Sequence, residues 1–174
     1  MKTILYLHGF ISSPASRKAV MLGDYVRGQA PGVEYLVPAL HHRPAEAIAQ
    51  VHAICDERHP ADVLVVGSSL GGFYATVAAE RAGCRAVALN PAVHPQRHFE
   101  RYLGPQQNLY TGERFDLTPG HVAELAAIDP PAITRPDRYW LIVETGDEVL
   151  DYREAVSYYA GAFQSVVQGG DHAL

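Results

Sequence analysis

A chain of 174 residues with 48% hydrophobic content has the length and core-forming capacity of one compact domain. Its formal charge of -5 and the absence of any basic run set aside nucleic acid and anionic membrane as principal partners. No stretch is long and apolar enough to span a bilayer, and the apolar run in the opening MKTILYLHGF is too short for a secretory signal.

Thr3 to Leu7 is a β-branched and aromatic run that reads as a first strand, ending at His8-Gly9-Phe10 and a polar loop through Pro14. A helix opens near Ser16 and is expected to turn Val20, Leu22, Tyr25 and Val26 toward the sheet before Gly28 to Gly32 end it. Glu34 to Val37 is a short second strand. Pro44 suits the first position of a second helix, along which Ile48, Val51 and Cys55 repeat on one face.

Asp62 to Phe73, DVLVVGSSLGGF, carries the most specific signal. A continuous apolar run of the parallel-strand kind enters Gly67-Ser68-Ser69-Leu70-Gly71, and Phe73, Tyr74, Val77 and Ala78 continue at helical spacing toward Gly83. Strand, G-x-S-x-G and helix in that order make a nucleophile elbow, in which the middle serine stands clear of the backbone at the positive end of a helix. Glycines are needed on either side because the sharp turn presses those positions against neighbouring backbone. Ser69 is therefore the candidate nucleophile.

Arg85 to Leu89 is a fourth strand, stopped by Asn90-Pro91. About 91–138 then breaks the strand-helix alternation and reads as a lid-like excursion over the sheet, rich in aromatic, proline and polar residues. One helix is legible within it: Thr118 as N-cap, Pro119 in the first turn, Val122, Leu125 and Ile128 on one face, and Pro130-Pro131 as the stop. Tyr139 to Thr145 is a fifth strand, a helix is expected from about Tyr152 to Ala162, and Gln164 to Gln168 is a sixth strand leading into Gly169-Gly170-Asp171-His172. The alternation implies a three-layer α/β/α sandwich around a mostly parallel six-stranded sheet with order 2-1-3-4-5-6.

In such sheets reactive groups gather at the carboxyl ends of the strands. His8 to Phe10, Ser69, Asp147 and His172 each follow a strand end. A serine hydroxyl needs a base within hydrogen-bond reach and a carboxylate to orient that base. His172 is the candidate base, since it follows the last strand and completes the chain order serine, acid, histidine. His41, His42, His94, His98 and His121 fall on the second strand's end or in the excursion. Asp147, Glu148 and Asp151 compete for the acid; Asp147 is nearest the strand end, whereas Asp151 and Glu154 have the spacing of a helix capping box. The developing oxyanion requires fixed donors, for which the backbone N–H groups of Phe10 and Leu70 are the candidates.

Neither a metal nor an organic cofactor is expected. His41-His42 has no third histidine at helical spacing, and Cys55 and Cys84 lack any C-x-x-C pairing and read as buried small hydrophobes. A reducing compartment, hence the cytoplasm, follows from that cysteine usage.

Through YLHGF, GSSLGGFYAT, NPAV, YTGE, TGDEVLDYREAV and GGDHA, distributed over essentially the whole chain, the sequence resembles the YqiA-like small bacterial esterase family of the α/β-hydrolase superfamily. The resemblance implies a serine esterase or thioesterase acting on short- to medium-chain acyl esters or thioesters, with Ser69, Asp147 and His172 at the matching positions. A binding or regulatory protein on the same fold, or a triad hydrolase of peptide or carbon-carbon bonds, are the alternative readings. Hydrolases of this fold usually carry a helix after the histidine loop. This sequence stops at Leu174, so that either it is trimmed or His172 is left on a loose end.

Overall fold

The apolar runs of the sequence become the strands of one sheet, and the amphipathic runs between them become its crossover helices. The computed structural model describes residues 1–174. In chain order the elements are β1 (Thr3–Leu7), α1 (Arg17–Gln29), β2 (Glu34–Leu36), α2 (Pro44–Asp56), β3 (Val63–Ser68), α3 (Leu70–Ala82) and β4 (Arg85–Leu89). They continue as α4 (Gln96–Phe99), β5 (Gly104–Gln107), β6 (Arg114–Leu117), α5 (Pro119–Ile128), β7 (Tyr139–Glu144), α6 (Tyr152–Tyr158) and β8 (Phe163–Val167). The six-stranded sheet has order β2-β1-β3-β4-β7-β8, and every neighbouring pair is parallel. The expected order is thus observed, with the fifth and sixth strands becoming β7 and β8.

Register decides which side chains share a face. Leu5 pairs with Val65 and Val65 with Ala86, while Leu7 pairs with Gly67 and Ala88 with Leu141. These residues point into the larger core, where Leu5, Leu7, Val65, Ala88 and Leu141 are fully buried with Ile48 and Val51 of α2 and Phe73, Ala75 and Ala78 of α3. Each large aliphatic side chain so buried contributes about 1.5–3 kcal/mol. Helix α3 is the central support, buried from Leu70 through Ala79, and its glycines and alanines let it lie close to the strands.

The opposite face is thinner. Its smaller cluster joins Tyr6 and Val66 to Ala19 of α1, and α1 is the only helix contributing to it. Toward the β8 edge the same face exposes Trp140 (42%) and Phe163 (66%). Helix α1 is also turned differently from its expected phase: Ala19, Gly23 and Val26 are buried, whereas Val20 and Tyr25 are exposed. The cause is Tyr35 on β2. Its hydroxyl donates to the Ala19 carbonyl at 2.7 Å, and a Cβ on Gly23 would come within 2.8 Å of its ring. Close approach over that ring selects the small-residue edge of α1 in preference to its larger apolar side chains.

Two further departures lie in connections. The excursion contains an antiparallel hairpin, β5-β6, that the sequence reading did not anticipate. Its tip is the Tyr110-to-Glu113 segment, organised by Asn108, which accepts from the Tyr110 and Thr111 N–H groups and donates to the Ser12 carbonyl at 2.8 Å. Helix α6 ends at Tyr158 instead of Ala162, because the chain turns through Gly161 at φ 86° to enter β8. Helix α5 forms as expected behind Thr118 and Pro119, with Leu125 fully buried.

Candidate active site

The elbow between β3 and α3 is dictated by contacts that exclude side chains. A Cβ on Gly67 would fall 2.0 Å from the Gly71 carbonyl oxygen, and one on Gly71 would fall 2.0 Å from that of Leu7. Between them Ser69 has φ 56° and ψ −123°, a conformation that costs a non-glycine residue about 1–3 kcal/mol and persists only when its surroundings over-determine it. They do. The Ser69 N–H donates to the Leu89 carbonyl at 3.1 Å, and the Ser69 carbonyl accepts from Gly72 at 2.9 Å and Ala92 at 3.0 Å.

His172 reaches this serine from the loop after β8. Its Nε2 lies 3.0 Å from Ser69 Oγ, and its Nδ1 lies 2.8 Å from Asp147 Oδ2. A carboxylate accepts only, so Nδ1 carries the proton and Nε2 is left to accept from the serine hydroxyl. The Asp147 side chain is 2% exposed. Its second oxygen accepts from the Val149 and Leu150 N–H groups, both at 2.8 Å, so the carboxylate is held at three points.

The competing acids are occupied elsewhere. Asp151 caps α6 by accepting from the Arg153 N–H at 3.0 Å and also pairs with the Arg153 guanidinium. The reciprocal half of the anticipated capping box does not form, because the Glu154 carboxylate faces His98 at 3.7 Å. Glu148 accepts from the backbone N–H of His172 at 3.0 Å and so holds the loop without touching the imidazole.

The loop after β1 approaches from the other side. His8 Nε2 accepts from the Leu40 N–H at 3.1 Å, which puts the ring proton on Nδ1, where it is directed at the Gly9 carbonyl at 3.1 Å. Burial holds the pKa of His8 below its ordinary value, favouring this neutral form. A Cβ on Gly9 would sit 3.3 Å from Ser69 Cβ, so the glycine lets the loop close over Ser69. Phe10 and Leu70 line the same cavity as Ser69 and His172, and neither of their N–H groups is engaged in a loop or side-chain hydrogen bond.

That cavity has a volume of about 640 Å³. One part is aromatic: Phe10 meets Phe99 edge-on at 5.1 Å, and Phe99 meets Tyr102 at 5.7 Å. Another carries Arg17, Lys18 and Arg101, with Glu148 among the other lining residues. The excursion therefore supplies walls of the cavity through Phe99, Arg101 and Tyr102, while Phe115 packs behind Phe10 at 6.2 Å.

Several participants escaped the sequence reading. His42 Nδ1 and His121 Nε2 are 3.2 Å apart, with His42 stacked on Phe115 at 4.4 Å, although 79 positions separate the two histidines. Asn90, read only as a strand stop, makes buried contacts to both β7 and the histidine loop. The hairpin had a signal in Arg114 to Leu117, where polar and apolar residues alternate as their burial does. His172 is not left on a loose end: Glu144 accepts from the Asp171 N–H at 2.8 Å, Glu148 from that of His172, and the Lys18 ammonium donates to the Ala173 carbonyl.

A parallel sheet of this order, entered by a strand-serine-helix elbow and bearing a histidine loop after its last strand, is an α/β-hydrolase fold. Solved structures agree. The mouse alpha/beta hydrolase domain-containing protein 10 aligns with 98% of this chain and 81% of its own at TM-score 0.72 and 17% identity. Est1E from Butyrivibrio proteoclasticus aligns with 99% of this chain and 80% of its own at TM-score 0.71 and 16% identity. The chain belongs to the Uncharacterised protein family (UPF0227), whose model matches residues 3–174. It is similar to a UPF0227 protein of Yersinia enterocolitica, with 31% identity over 149 residues, 85% of this chain and 77% of that protein. A UPF0227 protein of Vibrio atlanticus is 25% identical over 96 residues, 55% of this chain, and the chain spans about half the length of that relative, 54%.

Proposed function

We propose that the protein is a serine hydrolase that cleaves short- to medium-chain acyl esters or thioesters through an acyl-enzyme. The observation that carries the reading is the continuous relay from Ser69 Oγ to His172 Nε2 at 3.0 Å and from His172 Nδ1 to Asp147 at 2.8 Å, opening on one cavity.

Ser69 Oγ attacks the acyl carbonyl while its proton passes to His172 Nε2. The carbonyl electron pair becomes an oxyanion, which the Phe10 and Leu70 N–H groups stabilise beside the N-terminus of α3. Collapse of the tetrahedral intermediate breaks the bond to the alcohol or thiol, which leaves with the proton from His172. Water then repeats the sequence on the acyl-Ser69 ester, His172 acting first as base and then as acid, and the carboxylic acid departs. Throughout, Asp147 keeps the imidazole in the required tautomer and stabilises its charged form. The scheme uses no metal or organic cofactor.

The aromatic wall formed by Phe10, Phe99 and Tyr102 suits an acyl chain, and the partner implied is a small acyl ester or thioester. No helix is long and apolar enough to cross a membrane, and both cysteines are free and buried; a cytoplasmic location is part of the proposal. Turnover of p-nitrophenyl acetate and longer p-nitrophenyl esters by the wild-type protein, and its loss in Ser69→Ala with the fold retained, is the expected result. Undiminished turnover in that variant would sink the proposal. A fluorophosphonate probe should label Ser69, an outcome not expected of a protein that only binds its ligand.

A further inference from the structure

We infer that Asn90 is a positioning residue that sets the reach of His172 to Ser69. Its catalytic consequence rests on the hydrolase reading above, whereas its structural consequence stands on geometry alone.

Asn90 follows β4 and is 2% exposed, with φ 38° in a region that residues other than glycine seldom occupy. Its backbone N–H donates to the Ile142 carbonyl at 2.9 Å. Its side-chain Oδ1 accepts from the Glu144 N–H at 2.9 Å, and its Nδ2 donates to the Asp171 carbonyl at 3.1 Å. An N–H on one side and a carbonyl on the other fix the orientation of the amide, because only one placement of its oxygen and nitrogen satisfies both. Ending a strand requires none of this. The bond to Asp171 has no purpose in terminating β4, and it falls on the residue before His172.

The residues on either side of Asn90 hold the nucleophile. Leu89 accepts from the Ser69 N–H at 3.1 Å, and Ala92 donates to the Ser69 carbonyl at 3.0 Å. One short turn therefore grips the serine with its main chain and the base loop with a buried side chain. Of the other ties to that loop, those from Lys18, Glu144, Thr145 and Glu148 lie at the surface, the Gly146 N–H reaches the Gly169 carbonyl at 2.9 Å, and Asp147 holds the imidazole itself. An asparagine is suited to the task because it is short, accepts and donates at once, and tolerates positive φ better than most residues.

The test compares wild type with Asn90→Asp and Asn90→Gly by steady-state hydrolysis of p-nitrophenyl acetate and by amide hydrogen exchange over residues 169–174. The Asp variant keeps the tie to Glu144 and loses the donor to Asp171. The Gly variant accepts the positive φ and adds no charge beside His172. In both, kcat should fall by about a hundredfold, the loss that follows from a displacement of about 1 Å in a catalytic group, with KM unchanged. Exchange at the His172 and Ala173 amides should quicken by about tenfold while β3, β4 and β7 keep their protection. Wild-type kcat in either variant, or a lost kcat with unchanged loop exchange, would overturn the inference; so would a loss accompanied by faster exchange throughout the sheet in both variants. If the wild-type protein itself fails to turn over ester, the hydrolase reading falls separately. Loop exchange then decides: unchanged exchange refutes the positioning role, and selective quickening supports it.

Discussion

Ser69 and His172, the nucleophile and base of the proposed mechanism, meet at one point but are held there by opposite means. Ser69 sits in a turn enforced within a few residues, where Gly67 and Gly71 allow contacts that any side chain would forbid and α3 buries the rest. His172 sits in a loop whose position is assembled from distant parts of the chain: Asn90 after β4, Glu144 at the end of β7, Glu148 in the next turn, and Lys18 in α1. Steric exclusion tolerates no compromise, whereas several hydrogen bonds share a load. The nucleophile side should therefore fail abruptly when altered, and the base side by degrees.

The largest effects should erase the contrast by removing the reacting groups themselves. Ser69→Ala and His172→Ala are each expected to lower kcat for p-nitrophenyl acetate by about 10⁴-fold or more, and the double variant should be no worse than either, because the two act as one unit. Steady-state kinetics on the three proteins checks this. Additive losses would mean that the groups act separately.

Glycine substitutions test the difference in enforcement. Gly71→Ala drives a methyl group to 2.0 Å from the Leu7 carbonyl and should cost more than about 4 kcal/mol in urea unfolding, as severe overpacking against backbone does. Gly169→Ala meets nothing within 4 Å and carries only the penalty of its φ of 80°, about 1–2 kcal/mol. Similar losses from the two would dissolve the distinction. The smallest expected effect is that of Glu148→Ala. It removes an exposed acceptor from the His172 N–H, and its share of about 1 kcal/mol or less should lower kcat by no more than about fivefold.

Sequence pattern carried further for the elements than for their packing. The strands were legible because apolar, β-branched runs bounded by glycine and proline have few other uses, and alternation with helices implied the parallel order. Helix α1 was located correctly, and Leu22 and Val26 of its expected face do pack inward, but Val20 and Tyr25 do not. Val20 and Tyr25 are apolar at helical spacing, yet the ring of Tyr35 decided which edge could approach β2. The β5-β6 hairpin was passed over because Gly104-Pro105 is a poor strand former and the pairing across Asn108 to Glu113 is made by the turn. The pairing of His42 with His121 is invisible in the sequence, since nothing local relates two residues 79 positions apart.

Within the site the same boundary holds. Residues 67–71 and the chain order Ser69, Asp147, His172 were readable, because the glycine spacing and strand-end positions follow from local geometry and sheet topology. That Asp151 would cap a helix and leave Asp147 nearer the strand end was readable as well, since a helix cap is a local arrangement. The distances of 3.0 and 2.8 Å that align His172 were decided by tertiary structure alone. The elbow needs only its own neighbours in the chain, whereas Asn90 lies 81 positions from Asp171 and their bond exists only once β4 and β7 have paired. Local sterics can be read from a few consecutive residues; hydrogen bonds between distant loops depend on where the whole sheet has placed them.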